Sequence, residues 1–346
     1  MTMTTTLPAT QIVPRFAGGE RIETWERPVT APGAGELLLA VHANALCGTD
    51  RGQLSAGSSV TPGHEAAGEV VAAGTGTATA PGTEGVVYLM DFCGACGSCT
   101  AGATNRCVAK RADMGFTHDG GYGRYELVHE TNFFAVGADL PAAEATLLLD
   151  VMGTTAHAVR RAQAIQPQIE SVAIAGAGPV GLGMVAMARL LLGPEATVVI
   201  ADLVRYRLDL AERLGARAVQ LPGDSLGVAL AAAGIDQGVD LAVDTSGRGT
   251  ARRMLLDVVG RGGALVCVGH GEGLDLNVSA DLIRPERAIL GSEYFRFDGL
   301  AQSLALLRAN RSYLTQIITH RFRIDELGEA FRVFLGGNSG KVVVVQ

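Results

Sequence analysis

One short segment in the middle of the chain restricts the possible fold more than any other feature. The apolar run at residues 172–175 is followed at once by Gly176, Ala177, Gly178, Pro179, Val180 and Gly181. In this G-x-G-x-x-G pattern the first glycine permits a tight turn, the second lets the backbone approach a pyrophosphate, and the third allows a helix to pack closely on a strand. The segment therefore predicts a strand, a dinucleotide-binding turn and a helix whose N-terminus faces the phosphate charge.

The next apolar run supplies the second part of a dinucleotide-binding pattern. It ends at Asp202, twenty-one residues after the last glycine of the turn. A carboxylate at this position accepts hydrogen bonds from the ribose hydroxyls and repels a 2′-phosphate, so we expect NAD rather than NADP. Arg205 and Arg207 follow and could weaken the discrimination against NADP. We expect Arg207 and Val268 to contact the cofactor; the alternative interpretation is a plain glycine turn with a helix-capping aspartate.

Strand-like and helical runs alternate around this turn. The strand-like runs are short, apolar and bounded by glycine or aspartate, and they occupy residues 172–175, 197–202, 239–244 and 264–269. Helical stretches such as residues 205–214 lie between them. Continuous apolar strands that alternate with amphipathic helices are typical of a parallel sheet buried on both faces. Residues 1–154, in contrast, contain short apolar runs and many turn residues, which predicts an irregular β-rich domain.

Composition and charge exclude several classes of protein. The chain has 346 residues, of which 48% are hydrophobic, and this length is sufficient for two domains. A net charge of −7 without a basic patch argues against nucleic-acid binding. The N-terminus lacks the basic start and apolar run of a signal peptide, and the uncharged stretch at residues 171–188 contains four glycines and Pro179, which argues against a membrane span. We therefore expect a cytoplasmic protein that binds neither nucleic acid nor membrane.

Four of the six cysteines form a compact cluster in the sequence. Cys93, Cys96, Cys99 and Cys107 fall within fifteen residues. Clustered cysteines in a cytosolic chain of this size indicate a metal site rather than disulfide bonds. Four thiolates on one loop suit tetrahedral, closed coordination and leave no position for a substrate, so we predict a structural zinc site. An iron–sulfur centre is the alternative.

Several motifs together give the chain a specific resemblance to one family. They are CGTD at residues 47–50, GHEAAGEV at 63–70, CGACGSC followed by Cys107, GAGPVG at 176–181, and the ending from 318 to 345. In this order and spacing they resemble the zinc-containing medium-chain alcohol and polyol dehydrogenases. The resemblance implies an α/β fold in which a GroES-like β-rich catalytic domain, residues 1–154 and 291–346, carries an inserted Rossmann domain with a doubly wound parallel sheet, residues 155–290. We also expect a homo-oligomer, either a dimer or a tetramer.

The same resemblance assigns a catalytic zinc to Cys47, His64 and a third protein ligand, which gives two zinc ions per chain. Such a zinc needs three protein ligands and one open position. Where the two-cysteine relatives have their second cysteine, this chain has Asp150. A lone carboxylate in an apolar run must be paired, capping or metal-bound, so we expect Asp150 to be the third ligand. Its alternative role is a helix N-cap, and Glu65 is then the reserve ligand.

Residues next to these ligands receive roles from the resemblance as well. Asp50 is expected to orient His64, Thr49 to relay the alcohol proton, and Thr154 to lie against the nicotinamide. Many relatives have a histidine three residues after the relay hydroxyl as the outer proton acceptor, and this chain has Gly52 there. The other candidates for this proton route are solvent and three histidines, namely His42, His157 and His270.

These observations together predict hydride transfer between a secondary hydroxyl and NAD, with zinc as Lewis acid and a polyol, cyclitol or sugar-like molecule as substrate. Asp150 and Glu65 make the metal environment polar, Gly52 leaves room for a second hydroxyl, and CGTDR resembles sugar-oxidising glucose dehydrogenases. Aromatic residues that favour a simple primary or secondary alcohol instead are Tyr294, Phe295 and Phe297. A non-catalytic binding protein on the same fold is a further alternative. A zinc-free quinone reductase would lack the cysteine cluster and the catalytic ligands.

Overall fold

The computed structural model describes residues 7–346, which form two compact units. The first unit comprises the described residues up to Leu149 together with His320–Leu335 and Val342–Gln346. The second unit comprises Asp150–Thr319 and Gly336–Lys341. The chain therefore leaves the first unit after Leu149, returns to it at His320, and passes through the second unit once more at Gly336–Lys341.

The described residues contain strands and helices that we number in chain order. The strands are β1 (Thr10–Gly18), β2 (Arg21–Pro28), β3 (Glu36–Ala45), β4 (Ala66–Ala73), β5 (Glu84–Val87), β6 (Met90–Asp91), β7 (Ala112–Asp113), β8 (Tyr125–His129), β9 (Phe133–Ala135), β10 (Ser171–Ala175), β11 (Thr197–Asp202), β12 (Arg217–Gln220), β13 (Val239–Asp244), β14 (Val259–Cys267), β15 (Ala288–Gly291), β16 (Ile318–Arg323) and β17 (Lys341–Val345). The α-helices are α1 (Asp50–Ala56), α2 (Gly97–Thr100), α3 (Ala142–Ala145), α4 (Thr155–Gln163), α5 (Pro179–Leu192), α6 (Arg205–Arg213), α7 (Leu226–Ala232), α8 (Gly249–Val258), α9 (Gly299–Ala309), α10 (Arg311–Leu314) and α11 (Leu327–Leu335). Two π-helical turns occupy Leu149–Thr154 and Val278–Ile283.

The first unit is built on a seven-stranded sheet in the order β16-β17-β3-β4-β5-β9, with β8 also paired to β3. Strand β3 is apolar without interruption from Leu37 to Val41, and the side chains of Leu37, Leu39 and Val41 are fully buried in one hydrophobic cluster. A second cluster packs the Phe16 ring edge-on against Phe331, with ring centroids 5.3 Å apart. The sequence-based prediction of a β-rich domain is confirmed.

The second unit contains a six-stranded parallel sheet in the order β12-β11-β10-β13-β14-β15. All five residues of β10 are buried, as expected for a central strand of a parallel sheet. Strands β10, β11 and β12 follow one another toward one edge of the sheet, and β13, β14 and β15 follow one another toward the other edge. Dinucleotides bind at the carboxyl ends of the strands where the strand order reverses in this way, here between β10 and β13. The predicted α/β fold with a Rossmann sheet is confirmed.

Residues 291–319 group with the second unit in the structure, whereas the predicted domain boundaries, 1–154 with 291–346 and 155–290, place them with the first. The physical reason is local packing. The Tyr313 hydroxyl donates to the Leu214 carbonyl at 2.7 Å, and the Phe295 ring lies so close to Gly153 that a Cβ there would be 2.5 Å from it. The first six residues of the predicted first domain lie outside the described residues. Within residues 7–346, no helix has the length and apolar character needed to cross a membrane.

Candidate metal and cofactor sites

The loop from residue 93 to residue 107 brings four thiol groups together, as predicted. The Sγ atoms of Cys93, Cys96, Cys99 and Cys107 all lie within 4.8 Å of one another. Three of the separations are 3.5 Å for Cys96–Cys99, 3.9 Å for Cys96–Cys107 and 4.0 Å for Cys93–Cys99. In a tetrahedral site with zinc–sulfur bonds of about 2.3 Å, two sulfur atoms stand about 3.8 Å apart, so these three separations are close to those that zinc requires. No disulfide bond joins the six cysteines, all of which lie in the described part of the chain.

Backbone N–H groups of this loop donate hydrogen bonds to the sulfur atoms and so favour the thiolate form that binds a cation. The Cys93 N–H donates to the Cys107 sulfur at 3.3 Å, and the Cys96 N–H donates to the Cys93 sulfur at 3.3 Å. Backbone hydrogen bonds lower the pKa of the Cys96 thiol to about 6. Burial and the neighbouring sulfurs raise the pKa of Cys99 to about 12 in the absence of an ion, and a bound cation would reverse that effect.

A second group of potential ligands combines a thiol, an imidazole and two carboxylates. Its members are Cys47, His64, Glu65 and Asp150, whose ligand atoms all lie within 4.8 Å of one another. Each is at most 9% exposed. Burying a thiol and two carboxyl groups together is costly unless protons or a cation balance their charges. Mixed sulfur, nitrogen and oxygen donors are those that zinc binds in proteins, so the group fits that ion.

Asp50 connects the backbone and the imidazole of this group. Its Oδ1 lies 3.1 Å from Nδ1 of His64, and its Oδ2 accepts hydrogen bonds from the Cys47 N–H at 3.0 Å and the Tyr122 hydroxyl at 3.1 Å. Burial and the charge of Asp50 raise the pKa of Tyr122 well above its ordinary value, so the phenol stays protonated and donates. With Asp50 at Nδ1, Nε2 is the nitrogen directed elsewhere, and the Thr49 hydroxyl lies 3.5 Å from it.

Local backbone geometry explains why the GHE motif has its glycine. Gly63 adopts φ +98°, and a Cβ at this position would lie 2.9 Å from the backbone nitrogen of Tyr122. A larger residue at position 63 would therefore collide with the backbone of Tyr122. The following residue, Glu65, is held through its N–H, which donates to Oδ1 of Asn44 at 3.1 Å.

The first π-helical turn carries Asp150 and Thr154. The Thr154 hydroxyl donates to Oδ1 of Asp150 at 3.0 Å, and both side chains are buried. The two residues lie four apart in the chain, and the π-helical backbone brings their side chains to the same side of the turn. The role of Thr154 at the nicotinamide stays a prediction.

The glycine turn between β10 and α5 has the geometry of a phosphate cradle. Gly176 adopts φ +97°, and a Cβ on Gly181 would lie 1.8 Å from the Gly176 carbonyl oxygen, so neither position accepts a side chain. A Cβ at Gly178 would meet no described atom within 4 Å, which leaves the space beside it open to a ligand. Pro179 is the first residue of α5 and Val180 the second, so the free N–H groups of the helix lie at the turn.

Asp202 lies at the carboxyl end of β11, beside this turn. Its Oδ2 accepts a hydrogen bond from the Ala177 N–H at 2.5 Å, and its Oδ1 accepts one from the Val204 N–H at 2.8 Å. The carboxylate is therefore held in a fixed orientation next to the cradle. Val268 follows β14, the second strand beyond β10 in the sheet, and its N–H donates to the Asp244 carbonyl at 2.9 Å.

The two arginines after Asp202 differ in their surroundings. The Arg205 guanidinium is exposed and pairs with Asp209 at 2.6 Å and Glu212 at 2.7 Å on its own helix. The Arg207 side chain is half-buried, and its Nε donates to the Ser339 carbonyl at 3.3 Å. Burial lowers the pKa of Arg207, while the charge of Asp202 acts in the opposite direction. Arg205 is thus already engaged by two carboxylates.

Two of the histidines considered for the outer proton route have acidic neighbours. His42 Nδ1 lies 3.6 Å from Glu84, and His270 Nε2 lies 3.7 Å from Glu293. A Cβ at Gly52, where the family resemblance leads us to expect a histidine, would meet no described atom within 4 Å, so the space at Gly52 is open. Among Tyr294, Phe295 and Phe297, the aromatic residues that favour a simple alcohol as substrate, Phe295 is buried, with 2% of its surface exposed.

Sequence reasoning missed three residues that surround the second ligand group. Tyr122 donates to Asp50, Asn44 accepts from the Glu65 backbone, and the Phe116 ring lies 5.2 Å from the His64 ring. Tyr122 and Asp50 are 72 residues apart. The only signal for Tyr122 was its position in a glycine-rich stretch, GGYGR, and that composition predicts a turn rather than a contact.

Two family models match successive parts of the chain. The model described as alcohol dehydrogenase GroES-like domain matches residues 33–138, and the model described as zinc-binding dehydrogenase matches residues 179–309. Together the two matches place the chain in the dehydrogenase class of oxidoreductases.

Comparisons over the whole chain agree with these matches. The chain is 30% identical over 331 residues to L-threonine 3-dehydrogenase of Edwardsiella ictaluri, with 92% of this chain and 94% of the relative covered. A solved zinc-binding dehydrogenase of Sinorhizobium meliloti 1021, bound to NADP, has a TM-score of 0.84 and 26% identity over 98% of this chain and 100% of that chain. An Escherichia coli CFT073 protein described as a short chain alcohol dehydrogenase, complexed with NADH, shares the fold at a TM-score of 0.84 and 22% identity over 98% of this chain and 100% of that chain. The chain belongs to the zinc-containing medium-chain alcohol and polyol dehydrogenase family.

Proposed function

We propose that the protein is a zinc-dependent oxidoreductase that transfers a hydride between NAD and a secondary hydroxyl of a polyol, cyclitol or sugar-like molecule. The observation that carries the proposal is the buried group of Cys47, His64 and two carboxylates, with Asp50 placed at Nδ1 of the histidine. A non-catalytic protein on the same fold has no use for such a costly buried arrangement.

Cys47, His64 and Asp150 are the proposed ligands of a catalytic zinc, and Glu65 is the reserve for the third position. A zinc ion held there would supply Lewis-acid chemistry that lowers the pKa of a substrate hydroxyl. Asp50 holds His64 with Nδ1 toward the carboxylate, which leaves Nε2 for the metal. The four-cysteine loop is the proposed site of a second, structural zinc.

Thr49 is the proposed group that takes up the substrate proton. Its hydroxyl lies beside Nε2 of His64 and at the start of α1, next to the open space at Gly52. A hydroxyl can accept one proton while it donates its own, so it can pass the charge onward without becoming ionised itself. We propose that solvent in the open space completes this route, because Gly52 supplies no side chain.

NAD is the proposed cofactor, and it would accept the hydride. The glycine turn at residues 176–181 and the N-terminus of α5 would hold its pyrophosphate. Asp202 would bind the adenosine ribose and repel a 2′-phosphate. The engagement of Arg205 by Asp209 and Glu212 supports NAD over NADP, because that guanidinium is less available to a phosphate.

The substrate proposal depends on polarity and space. The two buried carboxyl groups favour a substrate that brings hydroxyl groups, and the open space beside Gly52 accommodates a second one. A second candidate substrate is L-threonine, since relatives at 29–30% identity over 92% of this chain carry the name L-threonine 3-dehydrogenase. The predicted cytoplasmic location and homo-oligomeric state stay predictions.

A matched panel of substrates tests the proposal. The rate of NADH formation is compared for 2-butanol and 2,3-butanediol, and then for sorbitol, inositols and L-threonine. A site that hydrogen-bonds a neighbouring hydroxyl discriminates strongly against the analogue that lacks it. We expect a higher kcat/KM for 2,3-butanediol than for 2-butanol. Equal or faster turnover of 2-butanol would refute the polyol assignment, and preference for L-threonine would select the second candidate.

A further inference from the structure

The segment that carries Asp150 has an unusual backbone. It is the π-helical turn Leu149–Thr154, which runs directly into α4. Turns of this kind are rare, and they occur frequently at functional sites because they change the direction in which side chains point. Here the turn places the side chains of Asp150 and Thr154 in hydrogen-bonding contact.

Close packing fixes the backbone of this turn from two sides. A Cβ on Gly183 of helix α5 would lie 2.2 Å from the Val151 carbonyl oxygen, and one on Gly153 would lie 2.5 Å from the Phe295 ring. With the backbone fixed, the remaining freedom of Asp150 is rotation about its own two side-chain torsions.

We propose that Thr154 is a positioning residue for the carboxylate of Asp150. By donating to Oδ1, the Thr154 hydroxyl sets the rotation of the carboxylate and therefore the direction of its second oxygen. Asp150 is 9% exposed and Thr154 6% exposed, so water competes poorly for this hydrogen bond. The inference rests on the proposed function in one respect, namely that Asp150 binds the catalytic zinc.

This role is separable from the contact with the nicotinamide that the family resemblance implies for Thr154. A hydroxyl that only contacts the cofactor has no influence on the metal site when no cofactor is bound. A hydroxyl that holds a ligand carboxylate changes the retention of zinc in the absence of any cofactor. Partners of metal ligands typically change metal affinity by roughly 10–100-fold when they are removed.

The experiment measures the release of zinc to a coloured chelator from the zinc-loaded protein without NAD. Thr154→Val removes the hydroxyl and keeps the side-chain shape, whereas Thr154→Ser keeps the hydroxyl. Thr155→Val is the matched control, because it removes a neighbouring buried hydroxyl that bonds only to backbone carbonyl groups. Zinc in the four-cysteine loop serves as an internal reference. We expect one of two zinc ions to leave roughly 10–100-fold faster in Thr154→Val, and rates close to wild type in Thr154→Ser and Thr155→Val.

Two results would overturn the inference. The first is release from Thr154→Val at the wild-type rate, and the second is equal acceleration in Thr155→Val, which would assign the effect to lost packing. If Thr154→Val does not fold, Thr154→Ala removes the same hydroxyl and gives the same comparison. Asp150→Asn separates the two levels of the argument. If zinc release is faster in Asp150→Asn but not in Thr154→Val, the role of Thr154 is rejected and Asp150 remains a ligand. If zinc release is unchanged in Asp150→Asn, Asp150 is rejected as a ligand.

Discussion

The substitution Asp50→Asn tests the arrangement of the proposed catalytic site at one atom. Asparagine keeps the shape of the side chain, but one of its oxygens becomes an N–H₂ donor. With the amide nitrogen turned to His64, the imidazole must accept at Nδ1, which places its own proton on Nε2, the nitrogen assigned to the metal. The variant is therefore expected to hold zinc poorly while its backbone fold persists.

The magnitude follows from the three contacts of Asp50. Its Oδ2 accepts two hydrogen bonds, from Cys47 and Tyr122, and both lose the benefit of a charged acceptor at roughly 1 kcal/mol each. We therefore expect the free energy of unfolding to fall by about 2 kcal/mol. The wrong imidazole tautomer adds a loss of roughly 10–100-fold in zinc affinity or activity, equal to about 1.4–2.7 kcal/mol.

Tyr122→Phe is the matched control for this substitution. It removes one hydrogen bond to the same carboxylate but leaves the charged oxygen at Nδ1 of His64 in place. Urea unfolding and zinc release to a chelator are measured for both variants. Both should lose stability, and only Asp50→Asn should release zinc much faster. Wild-type zinc release in Asp50→Asn would show that Asp50 does not orient the histidine, and the reasoning would be wrong.

Two further predictions concern the cofactor and pH. In kcat/KM the wild-type protein should prefer NAD to NADP by at least about tenfold, or about 1.4 kcal/mol. Asp202→Ala should reduce this preference, because the variant lacks the carboxylate that repels a 2′-phosphate. A wild-type preference for NADP would contradict the assignment of Asp202. Glu126 is fully buried on β8, and burial followed by the charge of Asp119 raises its pKa well above the ordinary value. The folded state therefore keeps a proton that the unfolded chain loses above a pH of about 4.3, so the wild type should lose stability as pH rises from there toward the folded pKa. Because Glu126→Gln cannot ionise, the difference in unfolding free energy between this variant and the wild type should shift in favour of the variant as pH rises above about 5 in urea unfolding, and a constant difference would contradict the prediction.

Much of the second unit could be predicted because its strands are continuous apolar runs with clear ends. The runs at 197–202 and 239–244 coincide with β11 and β13, and the helical stretch at 205–214 is α6 to within one residue. Where a strand contains polar residues or glycine, its first and last residues were predicted less accurately. Strand β14 begins five residues before the predicted run, because Val259–Gly263 lacks the apolar continuity of the remainder.

The candidate sites divide in the same way. The cysteine loop and the glycine turn depend on residues close together in sequence, so spacing alone indicated their geometry. Tyr122 and Asn44 reach the second ligand group only through the folding of the sheet, and no local pattern could reveal them. The hydrogen bond between Thr154 and Asp150 was within reach, since the two lie four residues apart, but the π-helical turn that permits it has no sequence signature.

The central claim is that Cys47 and His64 hold a zinc ion required for hydride transfer to NAD, separate from the ion in the four-cysteine loop. The most direct test measures zinc content and NADH formation from 2,3-butanediol in the wild-type protein and in Cys47→Ser. We predict two zinc ions per wild-type chain, and one zinc ion with no NADH formation in the variant. A single zinc ion in the wild-type protein, or a variant that keeps two ions and wild-type turnover, would contradict the account.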